Sequence, residues 1–205
     1  MLTIQDTYRS SYNEKGSKFI GLLFPALSKE AFNQQLAEIK SEHRDATHHC
    51  YGWRIGVPEP AEFAQDDGEP SGTAGLPILN QLKSNKSSNC GCVVIRYYGG
   101  TKLGKPGLIQ AYSAVAEDCL RQASFKQLIP TQNFKIIYDY SQQKIINQLN
   151  NSFDLKELDA EYLEKVTLTI ACRATKAEQL WEKLQQHAHL GIEAEELSTD
   201  FLVMT

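Results

Sequence analysis

Apolar and polar positions change rhythm several times along the chain, and each change predicts an element. Thr3–Ser11 and Ser17–Pro25 alternate or cluster apolar groups on either side of Asn13–Gly16, the pattern of a hairpin. From Ser28 the spacing lengthens to that of a helix, with Phe32, Leu36 and Ile39 on one face. Ser28 is placed to cap its first turn and Glu30 suits the positive end of the helix dipole. His48–Val57 reads as a strand stopped by Pro58, and Pro58–Pro70, dense in proline, glycine and acid, reads as loop. A short helix is predicted around Thr73–Leu82, followed by a strand over Cys90–Tyr98, where CGCVVIRYY is β-branched and aromatic. Gly99, Gly100 and Gly104 force a turn, and Pro106 opens a helix at the position where its missing N–H costs nothing. That helix carries Leu108, Tyr112, Val115, Ala116, Cys119 and Leu120 on one face.

After Pro130 the rhythm simplifies. Asn133–Tyr138 reads as a strand and Ser141–Asn150 as a helix with Ile145, Ile146 and Leu149 inward. Ser152–Tyr162 and Lys165–Cys172 form a strand pair, Lys176–His189 is a helix with Leu180, Trp181 and Leu184 on one face, and Ile192–Met204 closes as a strand. This βαββαβ order predicts a ferredoxin-like sandwich. Two domains are expected, residues 1–130 and 131–205, in an α+β chain.

Composition narrows the functional classes. The 205 residues are 41% hydrophobic and 22% charged, an ordinary globular balance. No stretch approaches the roughly 20 apolar residues of a bilayer-spanning helix, and the opening MLTIQDTYRSSYNEKGSKF is too polar for a signal peptide, so a cytoplasmic protein without membrane contact is expected. The net charge of -4 is uneven: residues 1–130 hold 14 Lys/Arg against 13 Asp/Glu, residues 131–205 hold 7 against 12. Neither half has the basic excess of a general nucleic-acid binder, so any such role must rest on a local patch. The five cysteines are expected to be reduced, with Cys119 and Cys172 in apolar runs.

Chemistry concentrates in three segments: ATHHC over Ala46–Cys50, DDGEPSGTAG over Asp66–Gly75, and RYYGGTKLG over Arg96–Gly104. Asp66, Asp67 and Glu69 suit either a divalent ion and acid–base work, or a solvated turn in which the acids cap backbone and Gly68 supplies positive φ. Ser71 and Thr73 are placed to cap the following helix. His48 and His49 are adjacent on a strand and face opposite sides, so only one of them can join a single site. Arg96 with Tyr97 and Tyr98 suits stacking on a base or gripping a phosphate, and alternation puts one of the two tyrosines in the core. Cys50, Cys90 and Cys92 lack the paired spacing of a zinc site, and no metal is predicted.

The runs ATHHCYGWR, DDGEPSGTAGLP and VVIRYYGGTKLG together resemble the signature of the YigZ/IMPACT family across about 60 residues. The resemblance implies a first domain of two-layer α/β type, similar to the second domain of a small-subunit ribosomal protein and to domain IV of elongation factor G. It implies a second, ferredoxin-like domain similar to domain V of that factor. It also implies a role in translation, since the family's eukaryotic members are implicated in restraining starvation-responsive translational control. One departure stands out. The family has a small residue and two glycines after its GGTKLG run, whereas this chain has Lys105-Pro106-Gly107. Gly99–Lys105 then fits G-x-x-x-x-G-K, but Pro106 stands where a P-loop needs Ser or Thr. A tight glycine turn feeding a helix is the reading, with Gly99, Gly100, Lys102 and Lys105 as a candidate anion site.

The candidate functional surface is therefore His48, Asp66, Asp67, Glu69, Ser71, Arg96 and Tyr97. No cofactor fingerprint and no catalytic triad can be assigned. The expected role is a non-catalytic translation-associated factor that binds RNA, the ribosome or a translation-control protein. The alternative is a metal-dependent enzyme acting on a phosphorylated or nucleic-acid substrate.

Overall fold

The computed structural model describes residues 1–204 and divides into two compact units, Met1–Gln127 and Leu128–Thr205. In the first, β1 (Leu2–Thr3) pairs with Gln127 and Lys126. The main sheet has the order β2-β3-β6-β4-β5, every neighbouring pair antiparallel, from β2 (Tyr8–Glu14), β3 (Ser17–Pro25), β4 (His48–Ile55), β5 (Ala61–Gln65) and β6 (Cys90–Tyr97). Lys15 and Gly16 both take positive φ between β2 and β3, the geometry whose twist suits a two-residue hairpin.

Three helices cover this sheet: α1 (Lys29–Glu42), α2 (Gly75–Ser84) and α3 (Gly104–Gln122). The two-layer arrangement expected from the resemblance holds on the face where α2 and α3 pack against Phe19, Leu23, Cys50, Cys92 and Val94. The opposite face is covered as well, by α1, whose Phe32, Leu36 and Ile39 meet Ile20, Phe24, Trp53, Val93 and Ile95. The reason is visible in β6, where Cys90–Arg96 are all buried. Such a strand has no polar face to give to water.

Local chemistry sets the helix starts. Ser28 Oγ accepts the Ala31 N–H at 3.1 Å and fixes the start of α1. The helix after the glycine turn begins at Gly104 rather than Pro106, and Pro106 falls inside the first turn, where its N–H would have no intrahelical acceptor. The stretch read as loop, Pro58–Pro70, contains β5, an edge strand with no buried residue and hence no alternation to read. It is fastened to β4 by Trp53 stacked on Phe63 and by Arg54 paired with Glu62, and to α2 by Lys83, which pairs with the same Glu62.

The second unit follows the βαββαβ order: β7 (Lys126–Tyr138), α4 (Gln143–Phe153), β8 (Lys156–Tyr162), β9 (Val166–Arg173), α5 (Ala177–Gln186) and β10 (Glu193–Val203). Its strands lie in the order β8-β9-β7-β10. One core joins Phe134, Ile136 and Tyr138 of β7 and Leu168 and Ile170 of β9 to Ile146 and Leu149 of α4 and Leu180 and Leu184 of α5. Trp181 is half-buried and stacks on Phe134. Among the described residues, no helix is long and apolar enough to cross a membrane.

Candidate functional site

The site forms where β4 begins and β6 ends. Antiparallel register sets His48 opposite Arg96, and Arg96 opposite Phe19 of β3. Over this sheet end folds the Asp66–Gly75 loop, and its acids do most of the fastening. Asp66 Oδ1 accepts the N–H groups of Ala74 (3.0 Å) and Gly75 (2.9 Å), while Oδ2 accepts that of Gly72 (2.8 Å). A carboxylate from the preceding loop thus satisfies amides at the start of α2 and meets the positive end of its dipole. Ser71 and Thr73 do not cap this helix. The cap position is Ala74, Ser71 is exposed, and the Thr73 hydroxyl donates to Pro70 C=O. Gly75 must be glycine because a Cβ there would stand 2.4 Å from Gln65 N.

Asp67, at φ +46, turns back to the sheet. Its carboxylate accepts the His49 backbone N–H at 2.7 Å and lies 3.5 Å from Lys40 Nζ of α1. Its carbonyl oxygen sits 2.8 Å from His48 Nδ1, which must therefore carry the proton. His49 faces the other side, with Nε2 3.1 Å from His43 C=O, and burial lowers its pKa from the ordinary 6.5.

Glu69 is the buried centre. Its Oε1 accepts from Arg96 Nη1 and, at 2.8 Å, from the Tyr112 hydroxyl of α3, and lies 3.9 Å from His48 Nε2. The Glu69 and Arg96 side chains are only 4% and 5% exposed, so the two charges neutralise one another out of water. Arg96 also donates to Ser17 Oγ and lies 5.3 Å from the ring centroids of both Phe19 and Tyr98. Its Nε is buried without a partner, so the rings hold part of the guanidinium that acceptors do not. Cys50 donates to Asp66 C=O and lies 3.3 Å from the Tyr112 hydroxyl; burial pushes its thiol, and that hydroxyl, far above their ordinary ranges. A thiol so held is not a nucleophile at neutral pH.

The structure therefore gathers His48, Asp66, Asp67, Glu69 and Arg96 at one end of the sheet, while separating others. Tyr97 points to the α1 face, where its hydroxyl lies 2.8 Å from His43 Nδ1. Tyr98, two positions beyond Arg96 and on its side, is the exposed aromatic of the site. The glycine turn also divides. Gly99 gives its N–H to Ser17 Oγ, and a Cβ on it would stand 1.9 Å from the Gly16 carbonyl carbon, so this glycine serves the hairpin rather than an anion. Gly100, at φ +85, has open space around it. Tyr112 and Ser17 were not legible as site residues, because a tyrosine on an apolar helix face and a serine at a hairpin carry no signal of a buried acid far away in sequence.

Beside the Glu69–Arg96 pair lies a groove of about 350 Å³, walled by Pro70, Tyr98, Leu103 and Leu108. Lys102 and Lys105 also line it; both are exposed and neither forms an ion pair among the described residues. The α3 N-terminus opens onto the same groove without a side-chain cap. Among the described residues, no three His, Cys, Asp or Glu side chains converge closely enough to hold a metal ion. Cys50, Cys90 and Cys92 are buried free thiols.

This geometry sits within the stretch matched by a known family. Residues 15–120 match the Impact N-terminal domain. The chain is 36% identical over 172 residues to the IMPACT family member YigZ of Escherichia coli strain K12, covering 83% of this chain and 84% of that protein. It is 38% identical over 152 residues to the IMPACT family member YvyE of Bacillus subtilis strain 168, covering 73% and 69%. A crystal structure of a hypothetical protein superimposes with a TM-score of 0.69 at 31% identity, covering 96% of this chain and 97% of that one.

Proposed function

This chain belongs to the IMPACT family, and from that premise we propose that it is a non-catalytic, translation-associated factor. It binds RNA, the ribosome or a protein partner through the groove end of its first unit. The family resemblance supplies the translational context. The observation that carries the non-catalytic half is the engagement of the acids: both Asp66 oxygens accept amides, Asp67 holds the His49 amide, and Glu69 Oε1 is shared by Arg96 and Tyr112. General acid–base work needs a group free to exchange its proton with a substrate, and a metal site needs several free oxygens together. These acids instead hold a loop on a sheet. What remains free is a pair of cations, an exposed ring, an apolar groove and the single Glu69 oxygen Oε2, which are means of binding.

The test is co-sedimentation of the full chain with ribosomes, comparing wild type with a Lys102→Ala/Lys105→Ala double variant. Pelleting that the double variant loses, with unchanged thermal stability, is the expected result. A chain that pellets with neither ribosomes nor the translation machinery of an extract, in any salt, removes this reading.

A further inference from the structure

We propose that the groove beside Glu69 and Arg96 takes one unpaired nucleobase of a single-stranded RNA, stacked on Tyr98, with its exocyclic amine on Glu69 and flanking phosphates at Lys102 and Lys105. The inference rests on the RNA-binding form of the function proposed above and makes it specific. Four observations carry it.

The first is size and polarity. At about 350 Å³ the groove lies at the small end of the roughly 300–1,000 Å³ range of ligand sites, room for one ring system and not for a duplex. Leu103, Leu108 and Pro70 offer it apolar walls. The second is the ring. Tyr98 is 45% exposed although Arg96 lies against it, so it presents aromatic surface to a planar partner. A guanidinium against one aromatic ring and a base on it is a stacking arrangement that tolerates any base.

The third is the acceptor. Glu69 gives Oε1 to Arg96 and Tyr112, whereas Oε2 accepts no hydrogen bond among the described residues and is not among the fully enclosed atoms. Glu69 is among the residues lining the groove, and we take this oxygen as the acceptor it offers there. A carboxylate oxygen pairs with the amine of adenine, cytosine or guanine. Against uracil it meets carbonyl oxygens on either side of the one N–H. The fourth is charge placement. Arg96 is neutralised by Glu69 at the floor, while Lys102 and Lys105 lie unpaired beside it, as a neutral base with phosphates to either side requires. An acidic peptide would use the same lysines, but it would have no use for a carboxylate acceptor at the floor.

The experiment measures binding of fluorescein-labelled oligo(A), oligo(C) and oligo(U), and of an A·U duplex, to the full chain by anisotropy. Oligo(A) and oligo(C) are expected to bind roughly tenfold or more tighter than oligo(U), the effect of one hydrogen bond to a charged acceptor. The duplex is expected to bind no better than oligo(U). Tyr98→Ala is expected to weaken oligo(A) by roughly five- to 150-fold, and Tyr98→Phe to retain it. Adenosine 5′-monophosphate should displace bound oligo(A) at concentrations where ribose 5-phosphate does not. Equal binding of oligo(U) or duplex, an unchanged Tyr98→Ala variant, or equal displacement by ribose 5-phosphate overturns the base pocket. So does the absence of binding to every RNA. If the chain still pellets with ribosomes in that last case, the proposed function stands through a protein contact and only the base pocket falls.

Discussion

Arg96 Nη1 and Glu69 Oε1 are hydrogen-bonded across 27 positions of sequence, with both side chains all but closed to solvent. Losing one partner leaves the other charge buried alone, which costs about 3–5 kcal/mol, whereas exchanging both for apolar groups of similar size is often neutral. Arg96→Met and Glu69→Leu are each expected to destabilise the chain by that amount in urea denaturation, and the double variant by much less than their sum. Additive losses would show that the pair is not coupled.

That pair also marks the limit of what could be read from sequence. Arg96 stands at the end of a strand whose identity is plain from CGCVVIRYY, and the three segments of the resemblance pointed to Glu69 and Arg96 separately. Nothing in a linear pattern says that a loop acid will reach a strand arginine, or that Tyr112 will donate to it from an otherwise apolar helix face. The choice between Tyr97 and Tyr98 was recoverable. Residues two apart on a strand share a face, and Tyr98, not Tyr97, is two from Arg96. β5 was hidden for the opposite reason. An edge strand with no buried residue shows no period, and the prolines and acids on either side of it read as loop. Gly99 joined the anion candidates because a glycine-rich run reads the same whether the need is an amide for phosphate or room for Gly16.

The burial of His49 makes the first unit sensitive to mild acid. Burial lowers its pKa from 6.5, so the folded chain resists a proton that the unfolded chain accepts. Below the unfolded value the unfolded state binds more protons, and stability falls as pH drops through that window; above it the contribution is complete. The urea midpoint of wild type is expected to decrease between about pH 7 and about pH 5.5, before most carboxylates titrate. His49→Gln, whose amide can still donate toward His43 C=O, should show a smaller decrease. An identical pH response in the two proteins would take His49 out of the account.

Salt dependence gives the most direct test of the phosphate contacts proposed for the groove end. Three cations were candidates from sequence: Arg96, Lys102 and Lys105. The structure withdraws Arg96, because its charge is neutralised by Glu69 out of water, where displaced counterions play no part. Lys102 and Lys105 remain, exposed and unpaired. Each phosphate met on a single strand contributes about -0.7 to the slope of log affinity against log salt, so two give about -1.4. Affinity for oligo(A) should then fall about sevenfold between roughly 50 and 200 mM salt. Lys102→Ala/Lys105→Ala should bring the slope close to zero while leaving the urea midpoint unchanged, since neither ammonium forms an ion pair among the described residues. Each single variant should remove about half. A wild-type slope steeper than about -3 would mean that further cations outside the groove meet the strand. A slope that survives the double variant would take this loop out of RNA binding and leave the groove to a different occupant.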